Sequence, residues 1–151
     1  MAVALPASSW SAAAQLLGIA IERRRGASAT VSAFAAAVRG GLPYTALASL
    51  ARGSGVSSDA IVETLRIPVR TLARRRSAGV LSPEESDRLS RLARTIALAM
   101  AVLGDRERAS AWLSAPNRAL GGAAPLTLLD TDIGVTQVEE ILQRIQHGIM
   151  S

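Results

Sequence analysis

Apolar residues recur at three- and four-residue steps along most of the chain, a pattern that predicts a succession of α-helices. The clearest helix is predicted over residues 82–104. It begins with an S-x-x-E capping box at Ser82 and Glu85 and ends at Gly104. Its apolar stripe consists of Leu89, Leu92, Ile96, Ala99, Met100 and Leu103. Strand-like alternation is scarce, so the pattern favours an all-α protein.

Two helices are predicted in residues 1–40, which form a helical extension without a recognisable motif. The first spans Ser11 to Arg25, with Leu16, Ile19 and Ala20 on one face, and ends at Gly26. The second spans Thr30 to Arg39 and stops at the Gly40-Gly41 pair.

Residues 42–80 contain three short predicted helices with the spacing of a helix-turn-helix. The first runs from Tyr44 to Arg52, and the second is capped within Ser57-Ser58-Asp59. The third starts at Pro68 and closes at Gly79. We expect its apolar side to dock on the module through Val69, Leu72 and Ala73. The candidate DNA-binding residues on its outer side are Arg70, Thr71, Arg74, Arg75, Arg76 and Ser77. The alternative is an ordinary amphipathic helix with a solvated charged face.

The C-terminal segment is dense in Trp, Pro, Gly and Leu. Asp105 is predicted to cap a helix over Arg106 to Ser114, which Pro116 stops. A turn at Asn117 to Leu120 and the Gly121-Gly122 pair follow, and Pro125 opens a short helical turn. Thr131 or Asp132 caps a last helix, which ends at His147 and Gly148 and has its apolar face at Val135, Val138, Ile141, Leu142 and Ile145. Such a compact, irregular shape indicates a surface for recognition by another protein.

Charge divides the chain into two unequal halves. All 17 basic residues are Arg, and the formal net charge is +5. Residues 1–80 carry ten Arg against three acidic residues, whereas residues 81–151 carry seven Arg against nine. The basic half therefore suits a polyanion, and the mildly acidic half suits a different partner.

Composition argues against an enzyme. The chain has no Cys and a single His, at position 147, and it lacks a P-loop, a dinucleotide-binding glycine motif and metal-ligand spacing. We therefore expect no cofactor, no metal and no small-molecule substrate. The longest apolar run, Ile96 to Leu103, has eight residues, and no secretory signal is visible. The sequence predicts a cytoplasmic protein without a membrane partner.

Several motifs together resemble one family. The segment W-L-S-A-P-N-R-A-L-G-G-A-A-P-L-T-L-L-D-T-D-I-G and the later V-E-E-I-L-Q-R-I-Q-H-G are similar to the toxin-binding domain of Xre/MbcA/ParS-type antitoxins. Upstream, R-T-L-A-R-R-R and L-S-P-E-E-S-D-R-L-S-R-L-A-R resemble the Xre-like helix-turn-helix and connecting helix. The resemblance runs from about residue 42 to residue 151. It implies a helix-turn-helix module at 42–80, a connecting helix at 81–104 and a toxin-binding domain at 105–151.

The resemblance also implies a function. Antitoxins of this family form homodimers, bind their own promoter DNA and neutralise a co-encoded RES-domain toxin, which resembles ADP-ribosyltransferases and consumes NAD. The toxin-binding positions carried over are Trp112, Leu113, Pro116, Asn117, Leu120, Gly121, Gly122, Pro125, Leu128, Leu129, Thr131 and Gly134. Many of these are interpreted as fold determinants. The contact surface is expected in the exposed turns and in Arg144, His147, Gly148, Ile149, Met150 and Ser151.

Three alternatives remain open at this point. Arg75 and Arg88 are candidates for salt bridges within the chain rather than for DNA contacts. The whole protein could be a homodimeric helix-turn-helix transcription factor whose C-terminal unit only dimerises. It could also be a protein-binding module with a decayed helix-turn-helix.

Overall fold

The computed structural model describes residues 7–21 and 27–148, and these residues form eight α-helices and two short 3₁₀ turns. The helices are α1 Ala7–Leu17, α2 Ala27–Gly40, α3 Ala46–Ser54, α4 Ser58–Leu65, α5 Val69–Ala78, α6 Pro83–Leu103, α7 Arg106–Ser114 and α8 Asp132–Gln146. The 3₁₀ turns, Arg118–Leu120 and Pro125–Leu128, lie between α7 and α8. Within the described ranges there is no strand, only an isolated bridge between Pro43 and Val80, so the all-α prediction is confirmed.

Helix α6 lies at the centre of the molecule and packs against α1, α2, α3, α4, α7 and α8. The predicted stripe is confirmed at Leu89, Leu92, Ile96 and Ala99, which are fully buried. Burial extends beyond one stripe to other positions of the same helix: Ser86, Ser90, Ala93, Thr95, Ala97 and Leu98. Small residues at these positions allow neighbouring helices to cover α6 from several directions. Helix α6 is therefore the core of the fold as well as the link between its halves.

The first helix is shorter than predicted. It ends at Leu17, and Gly18 follows in the left-handed region with φ +69°. A Cβ at Gly18 would lie 2.8 Å from the Ser49 hydroxyl of α3, so close packing of α1 on α3 also favours glycine here. The rest of the predicted helix includes residues 22–26, which lie outside the described residues. The second predicted helix is confirmed, with three more residues at its start and one at its end.

Both N-terminal helices are part of the core. Helix α1 buries Ala13, Ala14 and Leu17, and α2 buries Phe34. The Trp10 and Phe34 rings lie 5.2 Å apart, and the Arg94 guanidinium of α6 stacks 4.8 Å from the centre of the Trp10 ring. The described part of residues 1–40 is thus packed on α6 rather than appended to the surface.

Helix ends follow the predicted signals closely because caps are local interactions. Ser82 and Glu85 form the capping box of α6, and Asp105 and Thr131 cap α7 and α8 with their side chains. Gly79 and Gly104 take left-handed conformations after α5 and α6.

The predicted docking of α5 is confirmed only at Leu72, which packs half-buried against the core. All ten of its residues are described, and none is buried: Val69 is 85% exposed, Ala73 is exposed and Leu72 is half-buried. Four of the ten residues are Arg. Burying a face of so charged a helix would remove guanidinium groups from water at a high free-energy cost. The apolar positions on α5 are too few to offset that cost.

None of the helices in the described part of the chain combines the length and apolar character that a membrane crossing requires.

Packing of α1 on α6 can be tested with Leu17→Ala. Leu17 is 1% exposed, so the substitution leaves a cavity and should lower the free energy of unfolding by about 2–5 kcal/mol. Gln15→Ala is the matched control, because Gln15 is exposed on the same helix and should change stability by less than about 0.5 kcal/mol. Urea unfolding followed by circular dichroism measures both. Equal stability of the two variants would contradict a structural role for α1.

Candidate functional sites

The α4–α5 unit has the geometry of a helix-turn-helix. The Ser57 hydroxyl accepts a hydrogen bond from the Ala60 amide at 3.1 Å and starts α4. Helix α4 ends at Arg66, which takes a left-handed conformation with φ +55° and ψ +41°. Buried Ile67 anchors the turn, and Pro68 sets the start of α5.

The outer side of α5 is cationic and accessible. Arg70, Arg74, Arg76 and Ser77 are exposed, and Thr71 is half-buried. The Arg74 guanidinium donates a hydrogen bond to the Thr71 hydroxyl at 3.3 Å. Helix α5 contains no acidic residue that could neutralise these side chains. Guanidinium and hydroxyl groups on an exposed helix are suited to phosphates and to base edges in the major groove.

Arg75 differs from the other arginines of α5 because it binds within the chain. Its Nε lies 2.7 Å from Oε1 of Glu85, a side chain that is only 7% exposed. The same Glu85 oxygen accepts a hydrogen bond from the Ser82 amide at 2.8 Å. Arg75 therefore ties α5 to the capping box of α6, which agrees with the alternative interpretation of a salt bridge within the chain.

Arg88 also binds within the chain. Its Nη1 donates to the backbone carbonyl of Leu65 at 2.7 Å and so fixes the end of α4. The partner is a carbonyl group, whereas the sequence suggested a salt bridge.

Hydrogen bonds to Glu85 outweigh the effect of its burial. Burial alone raises the pKa of the carboxyl group, but the hydrogen bonds from Arg75 and Ser82 and the charge of Arg75 lower the pKa below its ordinary value. Glu85 is therefore ionised at neutral pH, and its pair with Arg75 holds α5 against the first turn of α6.

In the C-terminal unit, a closed loop follows α7. The Asn117 side chain accepts a hydrogen bond from the Ala119 amide at 3.0 Å, and the Asn117 backbone bonds to Gly122 and Ala123. Gly121 and Gly122 have φ of +65° and +89°, which confirms the predicted positive φ. A Cβ at either glycine would meet nothing within 4 Å, so only the backbone conformation requires glycine there. The loop is thus held rigid by its internal hydrogen bonds, and its outer side is accessible.

The predicted toxin-binding residues fall into three groups by accessibility. The exposed ones are Pro116, Gly121, Gly122, Arg144, His147 and Gly148, and the half-buried ones are Trp112, Asn117 and Leu120. Leu113 and Pro125 are buried inside the chain, which excludes them from a contact surface and leaves them a role in packing. Ile149, Met150 and Ser151 lie outside the described residues.

Gly134 is a fold determinant that the structure explains in detail. It is buried in the first turn of α8, and a Cβ there would lie 1.7 Å from the Leu128 carbonyl oxygen. Only glycine allows α8 to begin this close to the second 3₁₀ turn. The next residue toward the N-terminus, Ile133, is 77% exposed and was not predicted as a surface residue.

Several ion pairs join the C-terminal unit to the rest of the fold, and sequence reasoning missed them. Glu139 of α8 accepts from Arg94 at 3.2 Å and from Thr95 at 3.3 Å. Arg91 of α6 pairs with Asp132 of α8 and also with Asp87, one turn earlier on its own helix. A further pair joins Arg66 to Asp130. Residues more than 40 positions apart leave no local pattern by which such pairs could be found.

The fold joins a helix-turn-helix unit, which has an exposed basic helix, to a small helical unit with a rigid accessible loop. This combination defines a class of regulatory proteins with two separate surfaces. Comparison with known proteins places the chain more narrowly. Residues 33–94 match the antitoxin Xre-like helix-turn-helix domain, and residues 98–148 match the antitoxin Xre/MbcA/ParS C-terminal toxin-binding domain.

Similar proteins carry the same description. An antitoxin Xre of Yersinia enterocolitica is 32% identical over 116 residues, which cover 76% of this chain and 78% of that protein. An antitoxin Xre of Photorhabdus laumondii is 34% identical over 74% of this chain and 76% of that protein. A third, of Pseudomonas putida, is 45% identical over 54% of this chain and 52% of that protein.

A solved structure has the same fold. The crystal structure of the M. tuberculosis MbcT–MbcA toxin–antitoxin complex matches with a TM-score of 0.55 and 24% identity, over 72% of this chain and 96% of that chain. The chain belongs to the Xre/MbcA/ParS antitoxin family. It is an antitoxin of a toxin–antitoxin system, a class of proteins that are typically non-enzymatic.

The Arg75–Glu85 pair predicts a pH-dependent contribution to stability. Because the pKa of Glu85 is lowered in the folded state, its contribution is present above the unfolded value of about 4.3 and is lost as the pH falls through the folded value. Glu85→Gln keeps a side-chain acceptor for the Ser82 amide but removes the charge. We expect it to cost about 1.5–3 kcal/mol of unfolding free energy at pH 7.

Thermal unfolding at pH 7 and pH 3 measures this effect. The difference between wild type and Glu85→Gln should narrow at the lower pH, because the wild-type carboxyl group takes up a proton as the pH falls toward its lowered pKa. Glu84→Gln is the control, since Glu84 lies exposed in the same helical turn. A difference that is independent of pH would disprove a role for the charge.

Proposed function

We propose that this antitoxin neutralises a RES-domain toxin that consumes NAD by covering the active site of the toxin. The observation that carries this proposal is the match of residues 98–148 to a toxin-binding domain, on which a rigid, accessible loop and the exposed end of α8 lie. We further propose that the protein acts in the cytoplasm as a homodimer and binds its own promoter DNA to autoregulate the operon.

The proposed toxin-contacting surface has two parts. The first is the loop at residues 116–122, whose shape is fixed by internal hydrogen bonds, so little conformational entropy is lost when a partner binds. The second is the end of α8, with exposed Arg144 and His147, together with residues 148–151. A guanidinium group near a cleft that holds NAD phosphates would compete for that site electrostatically as well as sterically.

The role of the chain end can be tested by removing residues 147–151. Deletion should leave α8 folded, because its buried residues end at Leu142, and should relieve inhibition of NAD consumption by the co-encoded toxin. The measurement is the rate of NAD loss at fixed toxin and increasing antitoxin concentration. Arg144→Ala should weaken inhibition in the same direction.

Gln137→Ala is the control for these variants, since Gln137 is exposed on α8 outside the proposed contact. It should inhibit as well as the wild-type protein. Full inhibition by the truncated protein would rule out a contact by the chain end.

Promoter binding is supported by the accessible basic side of α5. Arg70, Arg74 and Arg76 are exposed and have no acidic residue on their own helix. In a homodimer, two copies of α5 could reach two half-sites of an operator about one helical turn of DNA apart.

We expect Arg70→Ala combined with Arg74→Ala to weaken binding to a duplex that spans the promoter of the gene. If each arginine contacts one phosphate, a homodimer of the double variant loses four contacts, and the slope of log K against log salt concentration should become shallower by about 3.6. The charge-matched control combines Arg118→Ala with Arg144→Ala, which removes two exposed arginines from the C-terminal unit. Titrations at several salt concentrations give both slopes. Equal losses in the two double variants would show that net charge alone, rather than α5, governs binding.

A further inference from the structure

We infer that Asp130 of the C-terminal unit is a positioning residue for DNA recognition. It acts through Arg66 by holding the left-handed turn that sets the direction of α5. The inference rests on the promoter binding proposed above and adds to it a contribution from the unit that faces the toxin.

The turn at Arg66 is conformationally costly. Among the described residues, Arg66 is the one non-glycine residue with positive φ, at +55°. In this region the Cβ of an L-residue lies too close to the backbone, and hydrogen bonds from the Arg66 amide to the Glu63 and Val62 carbonyls offset part of that cost. Such a conformation persists where surrounding contacts determine it. The contact is visible here: Nη2 of Arg66 lies 2.6 Å from Oδ2 of Asp130.

The position of α5 depends on this turn more than on packing. None of its ten residues is buried, and its apolar contact with the core is made by half-buried Leu72 alone, so packing restrains the direction of the helix only weakly. The other restraints are polar. Arg88 holds the Leu65 carbonyl at the end of α4, and Glu85 holds Arg75 in the last turn of α5. At the turn itself, Asp130 adds a side-chain restraint to the backbone bonds of Arg66 and the burial of Ile67.

The region around the pair is incompletely packed. A cleft of about 290 Å³ lies between α4 and the second 3₁₀ turn, lined among others by Glu63, Arg66, Leu126 and Asp130. The Asp130 side chain is 17% exposed, whereas that of Arg66 is 74% exposed. Asp130 is therefore the more buried partner and Arg66 the more solvent-accessible one. Loss of the pair would free the turn, because the cleft leaves space for it to relax.

The test compares Asp130→Asn with Glu63→Gln in the full-length protein. Both variants remove one negative charge from the same cleft, and Glu63 has no ion pair among the described residues. Less negative charge alone would strengthen DNA binding. We expect Asp130→Asn instead to weaken binding to the promoter duplex by about fivefold to thirtyfold, the factor that corresponds to the cost of a left-handed residue. Glu63→Gln should not weaken binding.

A second variant separates positioning from general loss of structure. Glycine adopts the left-handed conformation without a Cβ clash, so Arg66→Gly should restore binding in the Asp130→Asn background even though it removes a positive charge. Hydrogen exchange of the Val69–Ala78 amides should become faster in Asp130→Asn and return toward the wild-type rate in the double variant. Thermal stability and toxin inhibition should change little in either.

The outcomes are distinct. If the wild-type protein does not bind the promoter duplex, the proposed DNA binding fails and this inference fails with it. If the wild-type protein binds but Asp130→Asn behaves like Glu63→Gln, only the positioning role is overturned. Failure of Arg66→Gly to restore either binding or amide protection would also overturn it.

Discussion

Burial of α6 from several sides is the constraint on which the rest of the structure depends. The helix contacts α1, α2 and α3 of the N-terminal half as well as α7 and α8 of the C-terminal unit. Ala and Ser at its buried positions let each neighbour approach closely, and the hydrophobic effect therefore acts on one shared core rather than on two separate ones. The helix-turn-helix and the C-terminal unit are in consequence attached to the same element. Residues near the start of the chain matter to both, because α1 covers a large part of that element.

Polar contacts have a different role from the apolar core. They orient helices whose outer surfaces are not covered by packing. Glu139 fixes α8 through Arg94 and Thr95, and Glu85 fixes α5 through Arg75. Arg94 also stacks on Trp10, so one guanidinium group contacts helices from both ends of the chain. Partly buried pairs of this kind stabilise little in total but define geometry, because a misplaced partner would leave a charge without compensation. Both candidate surfaces lie where apolar burial is least.

The sequence predicts the local features of the fold that are determined by residues close together in the chain. The capping box at Ser82 and Glu85, the cap at Asp105 and the positive φ at Gly121 and Gly122 are confirmed, because each is set within a few positions of the chain. The exposure of Val69 could not be predicted from helical spacing, which defines a face but not whether anything covers it. The need for glycine at position 134 arises from the Leu128 carbonyl, and the Arg66–Asp130 pair joins residues far apart in the chain. Both depend on the tertiary arrangement. Which residues lie on each candidate surface depends on it as well.

The two candidate surfaces depend to different degrees on contacts with other parts of the fold. Loop 116–122 and the end of α8 keep their shape through hydrogen bonds and burial inside the C-terminal unit, so their geometry does not require α5. Helix α5 has no buried residue and packs on the core only through half-buried Leu72. Its direction is restrained by Glu85, by Arg88 through the end of α4 and by Asp130, all of which belong to other elements. A change at the C-terminal unit that breaks the Arg66–Asp130 pair can therefore alter α5, and because coupling between two sites is reciprocal, a shift of α5 acts on the same pair. For a protein with two surfaces on one core, the basic helix is the adjustable surface and the C-terminal loop is the fixed one.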